Sequence, residues 1–130
     1  KNSLGSDIFN STYLNIVLIW NKGIAFGLLS FNKDYLYNIL SIIILMIVVV
    51  LVIMSIKSQG FKRYSLLMVI GGALGNLHDR IFFKAVPDFI DFHIGSFHWF
   101  IFNVSDIFIT FGIIFLIVLE ISSNKEEKYE

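Results

Sequence analysis

Between Tyr35 and Ile56 the chain is almost unbroken hydrocarbon, with Ile42-Ile43-Ile44-Leu45-Met46-Ile47-Val48-Val49-Val50-Leu51-Val52-Ile53 at its centre. About 20 apolar residues wound as a helix cross a bilayer core, so this stretch reads as a membrane span. Its many β-branched residues do not argue for a strand. In hydrocarbon the backbone must satisfy its own hydrogen bonds, and a helix does so within one segment. Two more stretches qualify: about 64–83, interrupted near its end by Asn76, His78, Asp79 and Arg80, and about 100–121, with Asn103 and Asp106 near its start. Only 15% of the 130 residues are charged and 14 are Phe, against about 25% charged in a typical soluble domain. Lipid is the main solvent this composition fits.

The connection at 57–63, Lys-Ser-Gln-Gly-Phe-Lys-Arg, carries three basic residues and no acid. The positive-inside rule makes it cytoplasmic. Residues 1–34 and 84–99 are then expected on the outer side, with the tail from about Ser122 back in the cytoplasm. Three spans with an outer N-terminus, in a chain that begins with Lys1, suggest a fourth span upstream. Residues 11–31 do not read as that span. Tyr13 to Trp20 is rich in β-branched and aromatic residues and reads as a strand, Asn21-Lys22-Gly23 as a turn, and Ile24 to Leu29 as a short interfacial helix. Trp20, Phe31, Tyr35, Trp99 and Phe100 fall near the outer boundary, where an aromatic belt belongs.

Net charge is zero, which gives no sign of a nucleic-acid partner. The absence of cysteine removes disulfides, thiolate metal sites and cysteine nucleophiles. His78, His93 and His98 form no HExxH-type motif, and no metal site is expected. Ser105 follows no nucleophile-elbow pattern, and lysines are missing from the span interiors.

Acids and amides remain. Asn76, Asp79 and Arg80 are spaced to stack on one helix face, and Gly71 and Gly75, four apart, are expected to let a neighbouring helix approach. Charged groups at membrane depth normally face a partner or a wet cavity. For Asp79 a structural polar cluster, in which Asp79 and Arg80 neutralise each other or their neighbours, stands beside a functional role. In Val86-Pro87-Asp88-Phe89-Ile90-Asp91-Phe92, aspartate alternates with apolar residues. Asp91 reads as a solvated loop acid whose replacement by Asn is expected to be nearly silent. Asn103 and Asp106 lie one turn apart at the start of the last span. Two converging carboxylates share one proton, and the pair can activate water against a peptide carbonyl. A small ion or proton transporter subunit using Asp79, Arg80 and Asp106 is the alternative from another class. A purely structural membrane subunit is a third.

Four segments in order, Asn21-Lys22-Gly23-Ile24-Ala25-Phe26-Gly27, Gly71 to Arg80, Val86 to Phe92 and Phe102-Asn103-Val104-Ser105-Asp106, resemble the bacterial lipoprotein signal peptidases (signal peptidase II) over nearly the whole chain. The resemblance implies an all-α membrane helical bundle, with three spans present of an expected four. It adds a small outer-face β-cradle and a short amphipathic helix within residues 10–31, all in one membrane domain with a cytoplasmic tail at 122–130. It implies an aspartic endopeptidase of the bacterial inner membrane, its site toward the periplasmic face. Such an enzyme removes signal peptides from diacylglyceryl-modified prolipoproteins by cutting before the lipidated cysteine. Asp88 and Asp106 become the catalytic pair. Asn76, Arg80, Asn103, Asn21 and Gly23 become substrate-binding residues, and Asp79, Gly72 and Gly75 structural or site-ordering ones. Membrane lipids and cyclic peptide inhibitors of the globomycin type are implied as partners, and no cofactor is required. Ser105 departs from the family's usual Ala, and Pro87 directly precedes the first catalytic Asp, where a loop should tolerate it.

Overall fold

A computed structural model describes residues 8–23 and 34–129, with side chains to residue 126. The expected short helix at residues 24–29, and Phe31, lie outside the described residues. Two short strands come first, β1 (Phe9–Asn10) and β2 (Leu14–Asn21). Helices α1 (Asp34–Lys57) and α2 (Gly60–Phe83) follow, then strands β3 (Val86–Ile94) and β4 (Phe97–Phe102), and finally helix α3 (Val104–Tyr129).

All three helices are long and apolar enough to cross a membrane. α2 lies between the other two and packs against both. In α2, 39% of the apolar window is buried, against 11% in α1 and in α3. The outer faces of α1 and α3 therefore present Ile, Val, Leu and Phe to their surroundings, an arrangement that only a lipid solvent accommodates over such an area. The turn between α1 and α2 is closed by Arg63, whose Nε and Nη2 donate to the carbonyls of Ser55 (3.1 Å) and Ile56 (3.2 Å). These are carbonyls that a helix end leaves without an internal partner.

α2 and α3 approach closely through Gly75, as expected, but with Gly72 beside it rather than Gly71. A Cβ on Gly71 would meet nothing within 4 Å. One on Gly72 would stand 2.5 Å from the Ser105 carbonyl oxygen, and one on Gly75 would stand 2.6 Å from Ser105 Oγ. From α3, Gly112 answers them, its added Cβ falling 2.5 Å from Val69 Cγ2. Gly72 and Gly75, three apart, thus form the contact face.

The sheet is antiparallel with strand order β1-β2-β3-β4. It is larger than the expected cradle within 10–31, because residues 86–102 supply its other half. The segment expected as an outer loop is a hairpin turned by Gly95, whose φ of +60° suits a residue without Cβ. The last helix accordingly starts at Val104, and residues 100–102, expected inside the third span, are strand. Pro87 belongs to β3 rather than to a loop. It pairs with Trp20 beyond the reach of β4, whose pairing begins at Ile90↔Phe102.

Candidate active site

The end of α2, the start of α3 and strands β2 and β3 converge on a set of buried polar side chains. Asp88 and Asp106 are each 2% exposed, and Asn21, Asn76, Arg80 and Asn103 are buried around them. Such burial requires partners, and the amides provide them. Asn103 Nδ2 donates to Asp88 Oδ1 at 2.8 Å, and Asn21 Nδ2 donates to Asp88 Oδ2 at 3.0 Å. Asn76 Nδ2 donates to Asp106 Oδ1 at 2.9 Å, while the backbone N–H of Asn103 donates to Asp106 Oδ2 at 3.1 Å. Asn103 Nδ2 also reaches Asn76 Oδ1 at 3.1 Å. Asn103 therefore touches both carboxylates and joins them into one network.

Local sequence explains how α3 holds its acid. Asn103 is the residue before the first helical position, and its Oδ1 accepts the backbone N–H of Asp106 at 3.1 Å. Asp106 returns the bond to the backbone of Asn103. This is a capping box with Asp in the place usually held by Glu or Gln. Two orphan N–H groups are satisfied, and the carboxylate is fixed at the positive end of a helix dipole.

Strand geometry separates the two acids of β3. Alternation sends Asp88 and Asp91, three apart, to opposite faces. Asp88 meets Asn21 and Asn103. Asp91 meets His98, whose Nδ1 lies 2.9 Å from its Oδ2, and Asn15, whose Nδ2 donates at 3.5 Å. At 5% exposure Asp91 is no solvated loop acid. The sequence expectation fails because the partner sits across a hairpin that was taken for a loop.

Arg80 and Asp79 also part company. Arg80 turns inward, its Nη2 donating to the Gly23 carbonyl at 2.6 Å. The Gly23 N–H in turn donates to Asn21 Oδ1 at 2.8 Å. Arg80 thereby anchors the end of the β2 segment that carries Asn21. Its Nε is buried and has no hydrogen-bond partner among the described residues. Asp79, half-buried, lies 3.2 Å from His78 Nδ1, outside the Asn–Asp network. Ser105 fills the contact between α3 and Gly75.

Burial pushes the Asp88 carboxyl up to about 6. The hydrogen bonds from Asn21 and Asn103 pull the other way, and the negative charge of Asp106 adds to the rise. Beside the acids, a pocket of about 210 Å³ is lined by Trp99, Phe102, Asp106, Ile107, Thr110 and Phe111. It gives one carboxylate an apolar, aromatic forecourt.

Fold and site together define a class: a multi-pass membrane protein built around a buried, amide-bridged pair of aspartates. A family model described as signal peptidase (SPase) II matches residues 2–122. The lipoprotein signal peptidase of Pelagibacter ubique (strain HTCC1062) is 48% identical over 124 residues, covering 95% of this chain and 75% of that relative. That of Anaplasma phagocytophilum (strain HZ) is 44% identical over 123 residues, covering 92% and 77%. A solved bacterial membrane enzyme superposes with a TM-score of 0.82 at 30% identity, over 98% of this chain and 77% of its own. The chain belongs to the signal peptidase II family, and it is a peptidase. That membership sets aside the transporter and structural-subunit readings.

Proposed function

We propose that the protein removes signal peptides from prolipoproteins bearing diacylglycerol on a cysteine, cutting just before that cysteine, with Asp88 and Asp106 as the catalytic pair. The observation that carries this reading is the single residue Asn103 bonded to both buried carboxylates. Shared partners hold the acids at a common centre, where one proton serves two carboxyl groups.

Asp88, whose carboxyl is raised by burial, keeps the shared proton and donates it to the scissile carbonyl oxygen. Asp106 takes a proton from water as the oxygen attacks the carbonyl carbon. The tetrahedral gem-diol then collapses: the C–N bond breaks, Asp106 passes its proton to the departing cysteine nitrogen, and one hydroxyl of the gem-diol returns its proton to Asp88. Asn76 and Asn21 hold the carboxylates in place throughout. The Nε of Arg80, without a hydrogen-bond partner among the described residues, is suited to a substrate carbonyl, or to that of a cyclic peptide inhibitor of the globomycin type.

Topology supports the placement of the site. α1 ends and α2 begins at the basic turn around Lys57, Lys62 and Arg63, whereas α2 ends and α3 begins at the acids. With the basic turn cytoplasmic, the site opens at the outer face of the bacterial inner membrane. A lipidated cysteine holds the scissile bond at that depth. The acyl chains stay in lipid against the apolar faces of α3, next to the pocket at Trp99 and Phe111. Gly72 and Gly75 order the helices around the site, and Asp79 pairs with its neighbour His78 beside it.

The test is cleavage of a prolipoprotein substrate by the purified protein, with and without the diacylglyceryl group. The lipidated form should yield a free signal peptide and a product beginning at the lipidated cysteine. Equal cleavage of both forms would contradict the reading.

A further inference from the structure

On the other side of β3 from Asp88, three side chains outside the peptidase network gather near the turn of the hairpin, close to Gly95. A carboxylate oxygen of Asp91 and one ring nitrogen each from His93 and His98 all lie within 4.8 Å of one another. His93 and His98 are directly paired across β3 and β4, and their rings stack with centroids 5.0 Å apart. Asp91 precedes His93 by two, so strand alternation puts it on the same face. The three come together because the hairpin folds, not because they are adjacent in sequence.

An aspartate–histidine bond alone would account for Asp91 and His98. It does not account for His93. That side chain is buried at 9% exposure, and its Nδ1 has no hydrogen-bond partner among the described residues. A buried ring nitrogen left without a partner costs free energy, and here it sits in a group that already holds two further donors of metal-ligand type. We propose that Asp91, His93 and His98 form a binding site for a divalent transition metal of the zinc class.

The donor set selects the metal. Two imidazoles and one carboxylate suit Zn²⁺ and its neighbours, whereas Ca²⁺ and Mg²⁺ prefer oxygen throughout. Ligands at about 2.0–2.1 Å from a tetrahedral centre stand about 3.4 Å apart. Binding therefore requires a contraction of the group. The Asp91–His98 pair, at 2.9 Å, is already inside that spacing, so the contraction falls on the distances to His93, and the half-exposed His98 side chain has room to adjust. Asp91 and the buried His93 form the fixed half of the site, and water completes the coordination. The metal ties β4 to β3, the strand that carries Asp88 three residues before Asp91. The inference stands independently of the peptidase reading, since none of its three residues belongs to the Asn–Asp network.

The experiment uses the untagged protein in detergent, stripped with a chelator and titrated with Zn²⁺ against a chromophoric competitor. Co²⁺ is added separately to read the visible absorption of a tetrahedral site. One metal per chain is expected. His93→Asn and His98→Asn should each weaken binding by at least about 10-fold and remove the Co²⁺ band, while His78→Asn on α2 leaves both unchanged. Because His98 is exposed, its variant folds even where the His93 variant does not. Asp88→Asn should keep the metal, which separates this site from the peptidase centre. Absence of binding, or binding insensitive to His98→Asn, overturns the proposal.

Discussion

Asn103 spends its side chain on Asp88, Asn76 and the backbone of Asp106, and its own N–H on the Asp106 carboxylate. Sequence alone shows it one turn from Asp106, but not that the two form a capping box or that its Nδ2 reaches a strand fifteen residues back. Asn21, which donates to Asp88 Oδ2 from β2, is a probe of that acid. That bond lowers the Asp88 value against the burial that raises it. Asn21→Ala should therefore move the alkaline limb of the kcat/KM profile to higher pH, measured with a lipidated prolipoprotein substrate. An unmoved limb would mean that Asp88 does not set it. The same shift has a stability consequence. A carboxyl raised from 3.8 to about 6 binds its proton more tightly in the folded chain. Its contribution to stability is complete below about pH 4 and is lost as pH rises through about 6. Thermal unfolding in detergent should show this decline in the native protein, and Asp88→Asn should lack it. For Asp91 the near-silent expectation concerns cleavage; stability is a separate matter. Asp91→Asn weakens a part-buried bond to His98 and should cost about 1 kcal/mol, read as a lowered unfolding temperature.

At the scale of elements, the helices were legible and the sheet was only half so. Twenty apolar residues specify a span whatever their neighbours do, so α1, α2 and α3 announce themselves. The rotational phase of those helices does not. When nearly every position is apolar there is no stripe to say which face packs, and Gly71 was chosen with Gly75 although the contact belongs to Gly72 and Gly75. The hairpin β3–β4 was hidden for a different reason. Its acids, three apart with apolar residues between them, look like a solvated loop until their partners Asn21, Asn103 and His98 are brought from elsewhere in the chain. A pair of substitutions tests the helix contact. Gly72→Ala forces α2 from the Ser105 carbonyl and the Ile109 backbone, and should destabilise by about 1–3 kcal/mol. It should also reduce activity, since Asn76 on α2 must reach Asp106 on α3. Gly71→Ala points its methyl into open space and should leave unfolding temperature and activity near the native values.

Over the whole molecule, the three helices bring the end of α2 and the start of α3 to one level, and the sheet closes over that level with Asp88 on its central strand. The order of four short motifs chose Asp88 and Asp106 from four candidate acids. Physical reading of the residues had gone only as far as a carboxylate pair. The geometry supports proposing that pair: Asp88 and Asp106 share Asn103, whereas Asp79 and Asp91 lie against His78 and His98. The most direct measurement is cleavage of a diacylglyceryl-modified prolipoprotein by the native protein and by Asp88→Asn and Asp106→Asn, with circular dichroism in detergent as the fold control. Each variant should keep the helical signal and lose at least about 1,000-fold in kcat. Near-native turnover in either folded variant would contradict the assignment of the pair.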